Sequence, residues 1–311
     1  MKQIAECHEF KSSSFLFFTK PFGNVSIITS MLKSIFKDIN LYDWENATQI
    51  YPGQGDTKSS CLCYLVKQKS PDQNSKIQNF CAKVIPITQE HPALLEPEEQ
   101  EKLMREIIIH SSLHHPAILP FVGFNMYQSQ KIKTDSIALS SPIILTQFMD
   151  GGSLQSLLRS VSSIPTNNWD ALAKQICVLH IAGGIRYLHC QGFLHLNLQP
   201  SSILFHKDPS SDKLLPCISG FKHAHLIDNP TNEPFSFDPD NKYLAPDVRA
   251  KAASIGEKTD IYSFGLLVYS ILTNNLVTDE ITTEKIRDDL ESVQISGHNL
   301  TKELVDFIMK C

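Results

Sequence analysis

His195-Leu196-Asn197-Leu198-Gln199-Pro200-Ser201-Ser202-Ile203-Leu204-Phe205 concentrates polar side chains between apolar ones. Among them only His195 titrates near neutrality, and its apolar surroundings read as those of a core residue. Asn197 has the shape of an aspartate, but a carboxamide has no useful basicity at neutral pH. Far upstream, Lys83 lies in a strand-like run and Glu106 in a helix-like one. Taken singly, a lysine and a glutamate are ordinary surface residues. Gly53-Gln54-Gly55 precedes another strand-like run. Glycine lets bare backbone come close to a ligand, although alone this pair is explained equally well by a simple turn.

The elements that must position these groups follow from periodicity. Residues 1–40 read as an extension with an amphipathic helix, because Ile27, Ile28, Met31, Leu32, Ile35, Phe36 and Ile39 repeat at helical spacing. Docking on the domain that follows is the simplest use of that stripe. From 41 to about 150 the pattern becomes short strands around one helix. Strands are expected at Ser60–Val66, Phe80–Ile85, Ile118–Phe124 and Ile143–Phe148. The helix starts near Pro97-Glu98-Glu99, acidic in its first turn as the helix dipole prefers. Its Leu103, Met104, Ile107 and Ile108 fall on one face. After Asp150-Gly151-Gly152-Ser153 the chain turns mainly helical. Trp169–His189 carries apolar Leu172, Ile176, Leu179, Ile185 and Leu188, Asp260–Leu272 reads as a helix buried on most sides, and Leu300–Met309 is the last.

Composition excludes several function classes. The 311 residues carry 42% hydrophobic and 20% charged side chains, so wholesale disorder is not expected. A net charge of −5 with scattered basic residues offers no field for nucleic acid or anionic lipid. The 8 cysteines form no C-x-x-C pair, which argues against zinc and for small buried hydrophobes in a reducing compartment. Phe15-Leu16-Phe17-Phe18 is too short for a signal-peptide core or a membrane span. The sequons at Asn46 and Asn299 carry little weight without an export signal. The expectation is a cytoplasmic protein without a membrane span.

In their order and spacing, these segments resemble a protein kinase domain over residues 41–311. The wording of several motifs is similar to the tyrosine-kinase-like group. The resemblance implies an α+β, bilobal kinase-like fold: a β-rich N-lobe with one regulatory helix (41–148), a hinge (147–151) and a mainly helical C-lobe (152–311). It also implies a C-terminal end that stops short. Related domains continue with a helix whose arginine pairs with the carboxylate at Asp247, in Tyr243-Leu244-Ala245-Pro246-Asp247.

The resemblance further implies an ATP site. Gly53 and Gly55 belong to the phosphate-covering loop, with about three extra residues before the strand. Its third glycine corresponds to Cys61 and its valine to Cys63. In Cys81-Ala82-Lys83-Val84, Lys83 is expected to reach the phosphates and Ala82 to roof the adenine. Glu106 is the helix carboxylate that pairs with Lys83. Thr146 is a small gatekeeper, the backbones of Gln147 and Met149 face adenine, and Leu204 is the floor. His110, Phe121, His195 and Phe221 take the places of a hydrophobic column. Asp260 is expected to accept hydrogen bonds from the backbone of the 195–205 loop.

Against that frame the chemistry is depleted. The family's loop reads H-R-D-L-K-P-x-N, and here Leu196, Asn197, Gln199 and Ser202 stand for its Arg, Asp, Lys and Asn. Gly220-Phe221-Lys222 stands for D-F-G, so the base and both metal-binding side chains are replaced. No catalytic residue is intact and no metal is expected. The implied function is a pseudokinase, a protein-binding or regulatory module holding ATP weakly and without Mg²⁺, its partner another protein such as a kinase. Two alternatives stay open. One is an active kinase for Ser, Thr or Tyr with an atypical site, and the other a truncated product without function.

Overall fold

A computed structural model describes residues 30, 32, 34–38, 41–51, 62–69, 78–85, 97–125, 142–161, 169–208, 210–211, 213–228, 235, 237–238, 240–250, 255–278, 281–295, 298–300 and 302–311. They form two compact units. One holds the described residues up to Ser112 together with Pro120–Phe148, and the other holds Leu113–Leu119 with Met149–Cys311.

The first unit is an antiparallel sheet of β1 (Tyr42–Tyr51), β2 (Leu62–Gln68), β3 (Asn79–Val84), β4 (Phe121–Asn125) and β5 (Ile143–Gln147), in the order β1-β2-β3-β5-β4. Because successive side chains on a strand point to opposite faces, the register sorts residues into two sets. Tyr64 pairs with Ala82, and Ala82 with Leu145. These lie on the face that packs with Tyr42, Trp44, Val66, Phe80, Val84 and Ile143. Cys63 pairs with Lys83, Lys83 with Ile144, and Cys81 with Thr146. This second face is covered by helix α1 (Pro97–Ser112), whose Leu103, Met104, Ile107 and Ile108 cluster with Ile144. The helical stripe expected at 27–39 is described only in part, since Ile27, Ile28, Met31 and Ile39 lie outside the described residues. Leu32 joins the same cluster, with Ile35 and Phe36 packed against it.

In the second unit, α2 (Leu154–Val161) leads to α3 (Ala171–Cys190), which starts where the Asp170 carboxylate accepts the Ala173 N–H at 2.8 Å. A small sheet has β6 (Gly152–Ser153) and β9 (Leu214–Ile218) flanking β8 (Ile203–Lys207), and β7 (Phe193–Leu194) pairs with β10 (His225–Leu226). Helix α3 packs closely on β9 at Gly184, where a Cβ would stand 2.7 Å from Ile218 Cδ1. Two of the apolar residues noted along α3 are exposed, Leu172 at 51% and Leu179 at 70%. The buried line runs through Cys177, Ile181, Gly184, Ile185 and Leu188. The small residues Cys177 and Gly184 mark the contact face, and leucine counting had turned the helix away from it. After the short α4 (Pro246–Arg249), α5 (Glu257–Thr273) is buried from Ser263 to Leu272, as its sequence suggested. The chain continues through α6 (Thr283–Ser292), the β11–β12 pair (Gln294–Ile295, His298–Asn299) and α7 (Lys302–Lys310). Among the described residues no helix is long and apolar enough to cross a membrane.

Candidate active site

The first unit supplies one charged pair. Lys83 leaves the sheet on the face that α1 covers, and Glu106 comes from the buried side of α1 at 5% exposure. The Lys83 ammonium donates to both carboxylate oxygens, at 2.6 Å to Oε1 and 2.8 Å to Oε2. Bonds of this length between full charges are strong, and neither side chain is fully hydrated. The half-buried Cys63, Cys81 and Lys83 share their face with the buried Thr146.

The register corrects one assignment. Ala82 was expected to roof the adenine, but as the strand neighbour of Lys83 it faces the opposite way and is fully buried in the far cluster. Cys81, two residues before Lys83, occupies the lysine's face. Strict alternation would have found it. The Gln147 N–H is engaged by the Pro120 carbonyl at 3.0 Å, so a contact through that backbone runs through its C=O. At the other end of α1, His110 meets Phe121 edge-on at 5.3 Å. Gly53 and Gly55 lie outside the described residues.

The second unit holds the 195–205 loop. His195 is fully buried, its ring donating from Nε2 to the Ser219 carbonyl at 2.9 Å. Its Nδ1 accepts the Asn197 N–H at 3.2 Å. One donor and one acceptor make it a neutral imidazole, and burial pushes its pKa down. Both nitrogens are occupied, so His195 serves structure. It also packs edge-on against Phe221 at 5.1 Å.

Leu196 is buried and holds φ at +57°, a conformation that costs a non-glycine residue energy. Asp260, buried at the start of α5, stabilises it. Its Oδ2 accepts the His195 N–H at 2.8 Å and its Oδ1 accepts the Leu196 N–H at 2.9 Å. Oδ2 also meets His189 Nε2 at 3.0 Å. The role expected for Asp260 is thus present, with His189 an additional partner that the sequence did not announce.

Asn197 uses both ends of its carboxamide. Oδ1 accepts from Gln199 Nε2 at 3.0 Å, and Nδ2 donates to the Gly220 carbonyl at 3.4 Å. Ser202 is equally committed: its hydroxyl accepts the Gln199 N–H at 3.0 Å and donates to the Gln199 carbonyl at 2.8 Å. Ser219 donates from its amide and hydroxyl to the Ser202 carbonyl, at 2.7 and 2.9 Å. Gly220 sits at φ +85°, where a Cβ is strained and would come 3.4 Å from both Asn197 Nδ2 and Ser202 Cβ. Met149 and Leu204 meet in a cluster with Leu119 and Cys217.

The profile of the protein kinase domain matches residues 61–311. The chain belongs to the protein kinase domain family. Curated relatives are kinases: human serine/threonine-protein kinase TNNI3K is 27% identical over 175 residues, covering 55% of this chain and 19% of the relative. Rat dual specificity testis-specific protein kinase 1 is 26% identical over 180 residues, 57% of this chain and 26% of the relative. A leucine-rich repeat receptor-like protein kinase of Arabidopsis thaliana, PEPR1, is 27% identical over 218 residues, 67% of this chain and 18% of the relative. The match thus spans about a fifth to a quarter of the length of these relatives.

Kinase domains in general hold ATP and Mg²⁺, the metal through an aspartate carboxylate and an asparagine amide oxygen. The second unit does not fit that ion. Gly220 has no side chain, the Ser202 hydroxyl is committed in both directions, and the Asn197 oxygen already accepts from Gln199. A hard dication wants several oxygens, preferably anionic. Among the described residues no cluster of three or more His, Cys, Asp or Glu suits a metal.

Proposed function

We propose that this kinase domain is a pseudokinase of the tyrosine-kinase-like group, a cytoplasmic protein-binding or regulatory module that retains weak nucleotide binding without Mg²⁺. One observation carries the reading. Asn197, Gln199 and Ser202 form a closed network of neutral hydrogen bonds with the Gly220 carbonyl, in the loop where phosphoryl transfer needs a base and metal ligands. A positioned base contributes roughly 10²–10⁴ in rate, and charge neutralisation supplies much of the rest. A carboxamide that already donates and accepts offers neither.

Weak nucleotide binding is assigned in the first unit to Gly53, Gly55, Cys63, Cys81, Lys83, Glu106, Thr146 and the Gln147 carbonyl. The formed Lys83–Glu106 pair supports that assignment. The partner is another protein, a kinase being the leading class, because no basic field suits nucleic acid and the described helices suit no membrane span. The same pair favours a second reading, an active kinase with an atypical site, as do the names of the relatives.

Two measurements separate these readings. In a thermal-shift titration with ATP the expected result is a small stabilisation, equal with and without Mg²⁺. In a radiolabelled phosphate-transfer assay with Mg²⁺ or Mn²⁺ the expected result is no incorporation. Incorporation abolished by Lys83→Met would establish the active kinase, and a broad, non-cooperative melt would favour a truncated product without function.

A further inference from the structure

We propose that Leu32 and residues 34–38 act as a strap that holds α1 where Glu106 meets Lys83, with Leu32 as a positioning residue. Its first end seats on the helix. Leu32 is buried in the cluster that joins Leu103, Met104, Ile107 and Ile108 of α1, the residues that bracket Glu106 in sequence, to Phe124 and Ile144 of the sheet. Its second end is tied to the edge of β4. Lys37 donates its N–H to the Phe124 carbonyl at 2.9 Å, and the buried Asn125 side chain donates back to the Lys37 carbonyl at 2.7 Å. Between the ends, Phe36 meets Phe124 edge-to-face at 5.8 Å and 89°. The strand edge is a fixed reference within the sheet that carries Lys83. The strap therefore sets the height of α1 relative to that sheet.

The ion pair is sensitive to that height. With 2.6 and 2.8 Å between the charged atoms, a displacement of the helix by about 1 Å takes the contact out of hydrogen-bonding range. A helix held to a sheet only through apolar contacts has no directional bond to resist such a slide. Two hydrogen bonds and one ring contact fix the strap itself to β4, so that α1 packs against an apolar surface tied to the sheet. Gly123 shows how closely the strap is applied. A Cβ there would run into Lys37 Cγ and stand 2.7 Å from the Ile35 carbonyl oxygen. Whatever displaces Leu32 and residues 34–38, such as a partner that binds Leu32 and Phe36, would uncouple Glu106 from Lys83.

This inference rests on the reading of Lys83 and Glu106 as the working pair of the first unit. Its readout needs no nucleotide, so a failure of ATP to bind leaves it testable. The full chain is treated with sulfo-NHS-acetate at pH 7.5, and acetylation of Lys83 is followed by mass spectrometry relative to the exposed Lys258. A lysine amine held by two hydrogen bonds to a carboxylate reacts more slowly than a released one. Leu32→Asp and Gly123→Ala are expected to raise the relative Lys83 rate at least threefold, as Glu106→Gln does. Leu32→Met is expected to keep the wild-type rate, and Leu32→Asp combined with Glu106→Gln to add nothing to Glu106→Gln alone. Wild-type Lys83 rates in Leu32→Asp and Gly123→Ala proteins with native circular dichroism would overturn the strap, as would effects that multiply in the combined variant. Where Leu32→Asp does not fold, Gly123→Ala and Phe36→Ala decide, since neither alters α1 itself.

Discussion

The two units treat charge in opposite ways. In the first, Lys83 and Glu106 keep a close ion pair on one face of a sheet under one helix. In the second, the positions around Asn197 have become neutral, and each replacement hydrogen-bonds to another. The charged pair stabilises only while both partners remain, because removing one leaves an uncompensated charge. The neutral side chains of the loop need no counter-ion. A charged support beneath the loop is Asp260, which accepts from three donors. The buried anchor thus holds the backbone of the loop independently of the side chains at 197, 199 and 202.

Substitutions can break this contrast, the largest effect first. Asp260→Ala removes the acceptor for two backbone donors and His189, and frees Leu196 from its left-handed conformation. A loss of about 3–5 kcal/mol is expected from denaturant titration. Glu106→Gln strands the Lys83 ammonium, which keeps partial access to water, so a smaller loss of about 2–3 kcal/mol is expected. Were the two losses equal, the contrast between a buried anchor and a part-exposed pair would fall.

Acid tests the neutral half. Burial lowers the pKa of His195 in the folded protein, so the unfolded chain binds the extra proton. Stability from this group is full above the ordinary histidine value and is lost as pH falls below it. The expected slope is up to about 1.4 kcal/mol per pH unit. Burial and the neighbouring His115 and His206 shift His180 in the same direction. Stability measured from pH 7.5 to 5 should therefore fall less steeply in His195→Gln.

Asn197→Asp turns a donor toward the Gly220 carbonyl into a second acceptor. A loss of about 1 kcal/mol at pH 7 is expected, shrinking once the carboxyl is protonated at low pH. The same variant should gain no phosphate transfer, because the metal-binding groups remain absent. Smallest of all, Leu172→Gln and Leu179→Gln should each change stability by less than about 0.5 kcal/mol, since both side chains are exposed.

Much of the fold was legible because it is written in periodicity. The alternation of Phe80–Val84 and the helical spacing of Leu103, Met104, Ile107 and Ile108 report directly which residues meet apolar surroundings. The candidate site was legible where a residue type allows little else, as with a buried aspartate at the start of an apolar helix. It was illegible where the answer depended on register by one residue. Ala82 and Cys81 are both small and apolar, and only the pairing Cys81↔Thr146 and Ala82↔Leu145 says which shares a face with Lys83. The outward turn of Leu172 and Leu179 was hidden for a related reason. The contact face of α3 is marked by small residues that allow close approach, and a count of large apolar residues overlooks them.

By itself the sequence determined the order of elements, the kinase frame and the replacement of every acidic and metal-binding group in the 195–205 loop and at Gly220. Those are statements about residue type and spacing, and they survive any arrangement in space. Tertiary structure alone decided that the replacements bond to one another, that His195 is a neutral spacer, and that Leu32 joins the α1 cluster while Lys37 bonds to β4. Hydrogen bonds and packing depend on distances of a few ångströms between residues far apart in the chain, and no local pattern encodes those distances.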